Sequence, residues 1–234
     1  MLSRRMSRPL AIGAAVVVIA GGAFGIVSAT SSGGSAGAST GQTATAGFAA
    51  KAGSNARSGP AAGGVVGTVS SVSGSSFTLS TSGGQKVTVK KASSTTYRKG
   101  TSSSSASAIT KGAPVLVVGT VNGTTITATQ VVVQPASGAS TTFTPSKVVT
   151  FKRGAPSTAK QDGQVPANYT EGSGTIVSGT TANKATVAAL AAYPGGVVDR
   201  VVKLSNGEYE VHNIGVNWPH HIFVNTSFKV VGAN

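Results

Sequence analysis

The stretch GTVSSVSGSSFTLSTSGGQKVTV, residues 67–89, decides the fold class of this chain of 234 residues. It holds three short runs rich in Val, Thr, Phe and Leu, and Ser- and Gly-rich turn signals separate them. This is the pattern of β-strands joined by hairpins. In the third run Val87 and Val89 alternate with polar residues that include two lysines, which predicts one buried face and one basic, solvated face. The sequence therefore predicts a mainly β fold.

Similar runs continue towards the C-terminus, in TTYRK (95–99), APVLVVGTV (113–121) and TTITATQVVVQ (124–134). Their short length and close spacing predict a small barrel or sandwich over residues 65–134, with Asn122-Gly123 as a tight hairpin turn. Together with residues 67–89, these runs resemble an OB-like domain of exported bacterial proteins. That resemblance implies a small β-barrel.

The solvated face of this domain predicts a surface for polyanions. OB-type barrels also bind single-stranded nucleic acid, but they need aromatic side chains for base stacking. Here only Phe77 and Tyr97 are present, and Phe77 is predicted in the core, so no specific nucleic acid is expected. Anionic wall polymer or an acidic lipid surface is the expected partner, and the candidate residues are Lys86, Lys90, Lys91, Arg98 and Lys99.

Charge and composition divide the rest of the chain. The net charge is +14, yet residues 30–161 contain no Asp or Glu. The Gly-, Ala-, Ser- and Thr-rich segments 30–64 and 135–180 lack a sustained apolar period, which predicts two linkers. The absence of cysteine excludes disulfides, thiolate metal sites and a cysteine nucleophile.

The N-terminus carries an export signature. Arg4, Arg5 and Arg8 precede an uninterrupted apolar run over residues 10–29. The run is either a signal peptide, cleaved after the small residues that end at Ala29, or a retained membrane anchor. Both alternatives place the rest of the chain outside the cytoplasm, secreted or anchored to the bacterial membrane.

Residues 181–234 predict a helix followed by an antiparallel sheet. The run ANKATVAALAAY favours a helix with Thr181 as its N-cap, and Asn206-Gly207 predicts a hairpin with a two-residue loop. In that register Lys203 faces Glu210 on the exposed side. The apolar side, expected to pack under Val187 and Leu190 of the helix, consists of Val202, Leu204, Tyr209 and Val211. Further strands are predicted at 222–224 and 228–231.

The pattern from Lys184 to the end of the chain resembles a PepSY domain. Its best matches are Pro194-Gly195-Gly196 after the helix and Glu208-Tyr209-Glu210-Val211 in the hairpin, while Asn225 and Phe228-Lys229 depart from the usual ending. The resemblance implies an exported module that restrains peptidases or acts at the envelope surface. An envelope protein or a peptidase is therefore an expected partner.

No catalytic or cofactor-binding set is evident, because all three histidines fall within ten residues and no acid is spaced to orient one. The chain is therefore not expected to be an enzyme. His212, His220 and His221 are the candidate metal ligands, and Trp218, Pro219 and Tyr209 are the candidate partner contacts. Three hypotheses stay open: an envelope interaction protein, a structural cell-surface protein that binds wall polymer, and histidine-based metal handling.

Overall fold

The computed structural model describes residues 59–134, 148–155 and 160–234. The predicted export segment, the predicted first linker up to residue 58, and parts of the predicted second linker lie outside these residues. All described residues belong to the same structural unit. They form many strands and a single α-helix, so the mainly β fold class is confirmed.

Six strands make up the N-terminal half of the described chain. They are β1 (Ala61–Val72), β2 (Ser76–Ser80), β3 (Lys86–Lys99), β4 (Ser102–Ser103), β5 (Pro114–Asn122) and β6 (Thr125–Val133). β1 pairs antiparallel with β2 and β5, β2 with β3, and β5 with β6. A parallel pairing of β3 with β6 closes a ring of five strands, and β4 pairs with the end of β3. Apolar side chains fill the ring, including Val65, Val69, Phe77, Leu79, Val87, Val89, Val117 and Ile126.

The strands of this barrel are where the sequence predicts them, with three differences. β1 begins at Ala61, inside the predicted first linker. Residues 95–99 are the end of the long strand β3 rather than a separate strand. The β5–β6 loop consists of Gly123 and Thr124, because Asn122 already pairs with Thr125, and Gly123 takes the positive φ of 57° that the turn requires.

The C-terminal half contains one helix and eight further strands among the described residues. They are β7 (Val149–Thr150), β8 (Asp162–Gly163), β9 (Thr175–Ile176), α1 (Gly179–Ala192), β10 (Val197–Lys203), β11 (Tyr209–Ile214), β12 (Val216–Trp218), β13 (His221–Val224) and β14 (Val230–Ala233). β10, β11, β13 and β14 follow one another as an antiparallel sheet. The predicted third strand is therefore confirmed, and the fourth begins two residues later than predicted.

The helix covers one face of this sheet. Its buried residues include Ala182, Ala185, Ala189 and Leu190, a spacing that places them on one helical face. Leu190 lies in the core below and Val187 packs against that core, as predicted. The predicted N-cap at Thr181 is wrong. Ser178, an equally favourable N-cap residue type, has the extended conformation of a cap at φ −137° and ψ −177°.

The predicted register of the β10–β11 hairpin is wrong by one residue. Val201 pairs with Val211 and Val202 with Glu210, because the loop has three residues rather than two. The Leu204 amide donates to the Glu208 carbonyl at 2.8 Å, and the loop between them ends with Gly207 at φ 87°. A glycine in this left-handed conformation is typical of three-residue hairpin loops.

The shifted register changes which side chains lie under the helix. Val201, Tyr209 and Val211 belong to the core that α1 covers. Val202 and Leu204 lie instead in a second apolar cluster with Phe223. Glu210 is buried and does not face Lys203, which pairs with Tyr209. The predicted exposed pair of Lys203 and Glu210 is therefore wrong.

β1 links the two halves into one sheet. Gly64 lies opposite Val198 and Val65 lies opposite Val197, so the first part of β1 pairs with β10. The later part of β1, from Thr68, pairs with β2. Ala62 and Val66 of β1 also pack against the core that α1 covers. The predicted barrel (65–134) and the predicted C-terminal domain (181–234) thus share both a sheet and a core.

Three short strands lie in the predicted second linker: two of them extend the large sheet, and the third forms a separate two-stranded sheet. β7 pairs with β12, β8 with β14, and β9 with β10. The Trp218 indole Nε1 donates to the Lys160 carbonyl, and the Tyr193 hydroxyl donates to Asp162 at 2.7 Å. The described part of this segment is therefore packed against the C-terminal half rather than a free linker. No helix within the described ranges is long and apolar enough to cross a membrane.

Candidate functional site

The sheet face opposite α1 carries a cluster of ionisable side chains. In the register of β10, β11 and β13, Arg200 lies opposite His212, and His212 lies opposite His221. Glu210 is two residues before His212 in β11 and lies on the same face of the sheet. Asp199 lies in β10 at a register shift, next to Arg200. We call the following residues the histidine cluster: Tyr169, Glu171, Asp199, Arg200, Glu210, His212 and His221.

Each histidine of the cluster is bound to a carboxylate through the same ring nitrogen. His212 Nδ1 lies 2.6 Å from Asp199 Oδ1, and His221 Nδ1 lies 2.9 Å from Glu210 Oε1. An ionised carboxylate only accepts hydrogen bonds, so this geometry assigns the Nδ1 proton to both rings. In the neutral form of each ring the lone pair is then on Nε2.

Tyr169 covers the cluster from the segment between β8 and β9. Its hydroxyl oxygen lies 2.8 Å from His221 Nδ1 and is, beside Glu210, a second acceptor for the Nδ1 proton. Its ring packs edge-on against Phe223 with centroids 4.8 Å apart. Burial raises the pKa of the Tyr169 hydroxyl well above its usual range, and the negative charges of Glu210 and Glu171 raise it further. The hydroxyl therefore stays protonated. The contacts of Tyr169 with His221 and Phe223 hold its segment against the sheet.

Glu171 extends from the same segment towards the two histidines. One ligand atom from each of Glu171, His212 and His221 lies within 4.8 Å of the others. The two rings are 5.3 Å apart between centroids. Two imidazoles and a carboxylate are ligand types that divalent transition metals accept.

Arg200 balances part of the negative charge below the cluster. The residue is 1% exposed, and its guanidinium lies 3.9 Å from Glu210 and 4.0 Å from Asp199. Within the described part of the chain, its Nε and Nη2 make no hydrogen bond. The guanidinium thus acts on the two carboxylates as a nearby charge, and leaves their oxygens free to accept from the histidines.

The sequence predicts only part of this cluster. His212 and His221 are brought together as candidate ligands, whereas His220 is outside the group. Partial burial lowers the pKa of the His220 ring. Glu171 was missed because it lies in a segment without apolar periodicity. The usable signal is scarcity: the chain has five acids, and three of them converge on two of its three histidines.

The three candidate partner contacts are in the core instead of on the surface. Trp218 is buried and packs edge-on against Tyr193, with 5.6 Å between centroids. Pro219 is buried after a cis peptide bond. Tyr209 is buried and stacks on Phe228. These side chains are therefore not available as an exposed contact surface.

The candidate polyanion-binding residues all lie on β3. We call this group the β3 cations: Lys86, Lys90, Lys91, Arg98 and Lys99. Lys86 and Lys90 are exposed, whereas Val87 and Val89 between them are fully buried, so the predicted alternation is confirmed. Lys91 Nζ donates to the Ser73 carbonyl at 3.0 Å.

Residues with hydroxyl groups lie beside two of these cations, Lys86 and Lys90, on the neighbouring strand. Ser76 of β2 pairs with Lys90, and Ser80 pairs with Lys86, with Thr78 between them. The two aromatic residues in the described range 59–134 are not on this surface: Phe77 is in the barrel core, as predicted, and Tyr97 packs against it. The outer face of β2 and β3 is therefore cationic and hydroxyl-rich, without a stacking platform.

The comparisons give no relative from which a function can be transferred: no family model, no curated protein and no solved structure matches this chain.

Proposed function

We propose that this chain is a non-catalytic binding protein of the bacterial envelope that attaches to anionic wall polymer through the β3 cations. The observation that carries the proposal is a strand that exposes lysines beside a row of hydroxyl groups, in a half of the chain without any acid. Phosphate or carboxylate groups of a polymer bind the cations, and the serine and threonine hydroxyls hydrogen-bond its sugars or polyols.

The pairing of the barrel strands supports the OB-like assignment. A five-stranded ring with one parallel pairing is compatible with a Greek-key barrel of this kind, whose second and third strands bind oligonucleotides or oligosaccharides. The absence of an exposed aromatic from the described outer face favours a polymer of sugars or polyols over nucleic acid.

The PepSY-like assignment is supported by a helix that precedes and covers an antiparallel sheet. Contact with a peptidase or another envelope protein through this half is the second candidate. It ranks below polymer binding because Trp218, Pro219 and Tyr209 are buried. Export by the N-terminal apolar run belongs to the same proposal, because wall polymer lies outside the cytoplasm.

Binding of the purified protein to poly(glycerol phosphate) tests the proposal. We expect affinity to fall as salt is added, because dissolved ions screen exposed charges and limit the range of their attraction to about 8 Å at physiological ionic strength. The double variant Lys86→Glu with Lys90→Glu should bind at least about tenfold more weakly, a difference of about 1.4 kcal/mol.

The matched control is Lys203→Glu with Lys229→Glu, which makes the same change of charge at exposed positions outside the barrel. It should retain most of the binding. Equal loss in the two double variants would assign binding to net charge alone and contradict a β3 site. Tighter binding to single-stranded DNA of equal charge would favour a nucleic-acid ligand instead.

A further inference from the structure

We infer that Glu171, His212 and His221 form a binding site for a divalent transition-metal ion of the zinc class. The site lies in the C-terminal half, on the sheet face opposite α1, and is separate from the β3 cations. It therefore goes beyond the proposed attachment to wall polymer, and either proposal can fail without the other.

The carboxylate partners of the two histidines prepare both rings for a metal. Histidine ligands in metal sites almost always donate their other ring N–H to a carboxylate, a carbonyl or water, which fixes the tautomer and the ring orientation. Asp199 and Glu210 accept from His212 Nδ1 and His221 Nδ1 in this way. Both rings are thus held with Nε2 as the nitrogen for coordination.

Glu171 supplies the third ligand. It is exposed, and within the described residues it makes no hydrogen bond or ion pair that would hold its carboxylate elsewhere. Bonds to zinc of 2.0–2.2 Å place tetrahedral ligand atoms about 3.3 Å apart. One ring nitrogen of each histidine and one Glu171 oxygen lie within 4.8 Å of one another, which exceeds this spacing by up to about 1.5 Å, so the side chains must move closer together to bind a metal.

The charge of the cluster matches a dication. Glu171, Asp199 and Glu210 carry three negative charges, and Arg200 returns one positive charge. With neutral imidazoles the cluster has a formal charge of −2, which one divalent ion cancels. Arg200 lies against the carboxylates that orient the histidines, at 3.9 Å and 4.0 Å, so it is paired rather than directed at the metal.

The ligand types select the class of metal. Ca²⁺ and Mg²⁺ prefer oxygen ligands, whereas two imidazoles with one carboxylate suit zinc and its neighbours in the first transition row. The chain contains no cysteine and only three histidines, so it has no other cluster of strong nitrogen or sulfur ligands to compete.

Isothermal titration of the chelator-treated full chain with ZnCl₂ at pH 7.5 tests the inference. We expect one zinc per chain, and no comparable binding of MgCl₂. Glu171→Gln should weaken zinc binding at least about tenfold, because it replaces a charged ligand on the surface. Asp199→Asn should weaken it by about 10- to 100-fold, the usual effect of removing a group that orients a ligand.

His220→Gln is the matched control, since it removes the neighbouring histidine that is outside the cluster. It should bind zinc like the parent chain. Histidine ¹⁵N spectra of the unaltered protein give a second readout, in which zinc should shift Nε2 of His212 and His221 but not of His220. The inference is wrong if the parent chain binds no zinc, if Glu171→Gln and His220→Gln behave alike, or if His220 gives the main shift.

Discussion

Glu210 is a carboxylate held inside the protein by two partners. Its side chain is 2% exposed, with the Arg200 guanidinium at 3.9 Å and the His221 imidazole at 2.9 Å. Removing a carboxylate from water is costly, and only nearby positive charge and hydrogen-bond donors offset that cost. Arg200 is equally buried, so each group depends on the other.

We predict that Glu210→Gln lowers the free energy of unfolding by about 3 kcal/mol, because it leaves a buried guanidinium without one of its two carboxylates. Urea denaturation at pH 7 measures this change. Glu208→Gln, two residues earlier in the hairpin and partly exposed, should cost under about 1 kcal/mol. Similar small costs at the two positions would show that Glu210 is solvated.

The alternation of residues predicts some buried positions and fails at others. Val87, Val89 and Phe77 are in the barrel core as expected, because polar and apolar residues alternate strictly along their strands. The prediction that Glu210 is exposed is wrong, because the predicted register of its hairpin differs by one residue from the observed one. No residue pattern predicts Glu171, because it lies between β8 and β9, outside the helices and strands whose apolar periodicity can be recognised.

At the scale of elements, the β10–β11 loop shows what determines a strand register. The Asn206 carboxamide oxygen accepts from the Glu208 amide at 3.0 Å, and Gly207 has φ 87°. A Cβ at Gly207 would meet only Thr226, at an ordinary 3.7 Å. The requirement for glycine therefore comes from the backbone conformation rather than from crowding.

We predict that Gly207→Ala lowers the free energy of unfolding by about 1–2 kcal/mol, the cost of a left-handed conformation for a residue with a Cβ. Gly207→Asn should cost less, because asparagine tolerates that conformation. Thermal or urea denaturation of the two variants, with Ser205→Ala as an exposed control, gives the comparison. Equal costs for alanine and asparagine would contradict a left-handed residue at this position.

Asn206-Gly207 marked the hairpin correctly but did not determine its loop length. The same pair of residue types occurs in two-residue loops and in longer ones, and one residue of difference reverses the faces of the strand that follows. Strand existence follows from local composition. Register depends on contacts across the sheet, such as the pairing of β11 with β13, that no local pattern contains.

At the scale of the whole molecule, β1 makes the barrel and the C-terminal sheet continuous. Glycines permit this close approach. A Cβ at Gly63 would lie 2.0 Å from the Val198 carbonyl oxygen of β10, and on the barrel side of β1 a Cβ at Gly64 would lie 2.3 Å from the Val117 carbonyl oxygen of β5. Real side-chain atoms do not reach such distances, so the strands fit together here only without side chains.

The same glycines explain why the predicted first linker extends to residue 64, although β1 begins at Ala61. Gly63 and Gly64 extend a Gly- and Ala-rich segment, which by composition is typical of a flexible linker. In the structure they belong to β1 and pair with β5, and Gly64 also pairs with β10. Composition cannot distinguish a glycine that makes the backbone flexible from one that lets two strands approach closely, because the difference depends on a partner strand far away in the sequence.

We predict that the two halves unfold together, because they share the β1–β10 pairing and the core under α1. Calorimetry of the full chain should show one transition with equal calorimetric and van't Hoff enthalpies, and Trp218 fluorescence should change at the same temperature as amide exchange in β5 and β6. Two separated transitions would support independent domains over residues 65–134 and 181–234.

Gly63→Ala tests this coupling directly, because its Cβ would push β10 away from β1. We expect a loss of about 2 kcal/mol, as for other overpacked sites, and a fall in Tm of about 4–8 °C that both probes report together. Gly74→Ala is the matched control, since a Cβ there meets nothing within 4 Å. If Gly63→Ala moved only the Trp218 transition, the barrel would be stable without the C-terminal sheet, and β1 would be a contact between two domains rather than part of one cooperative core.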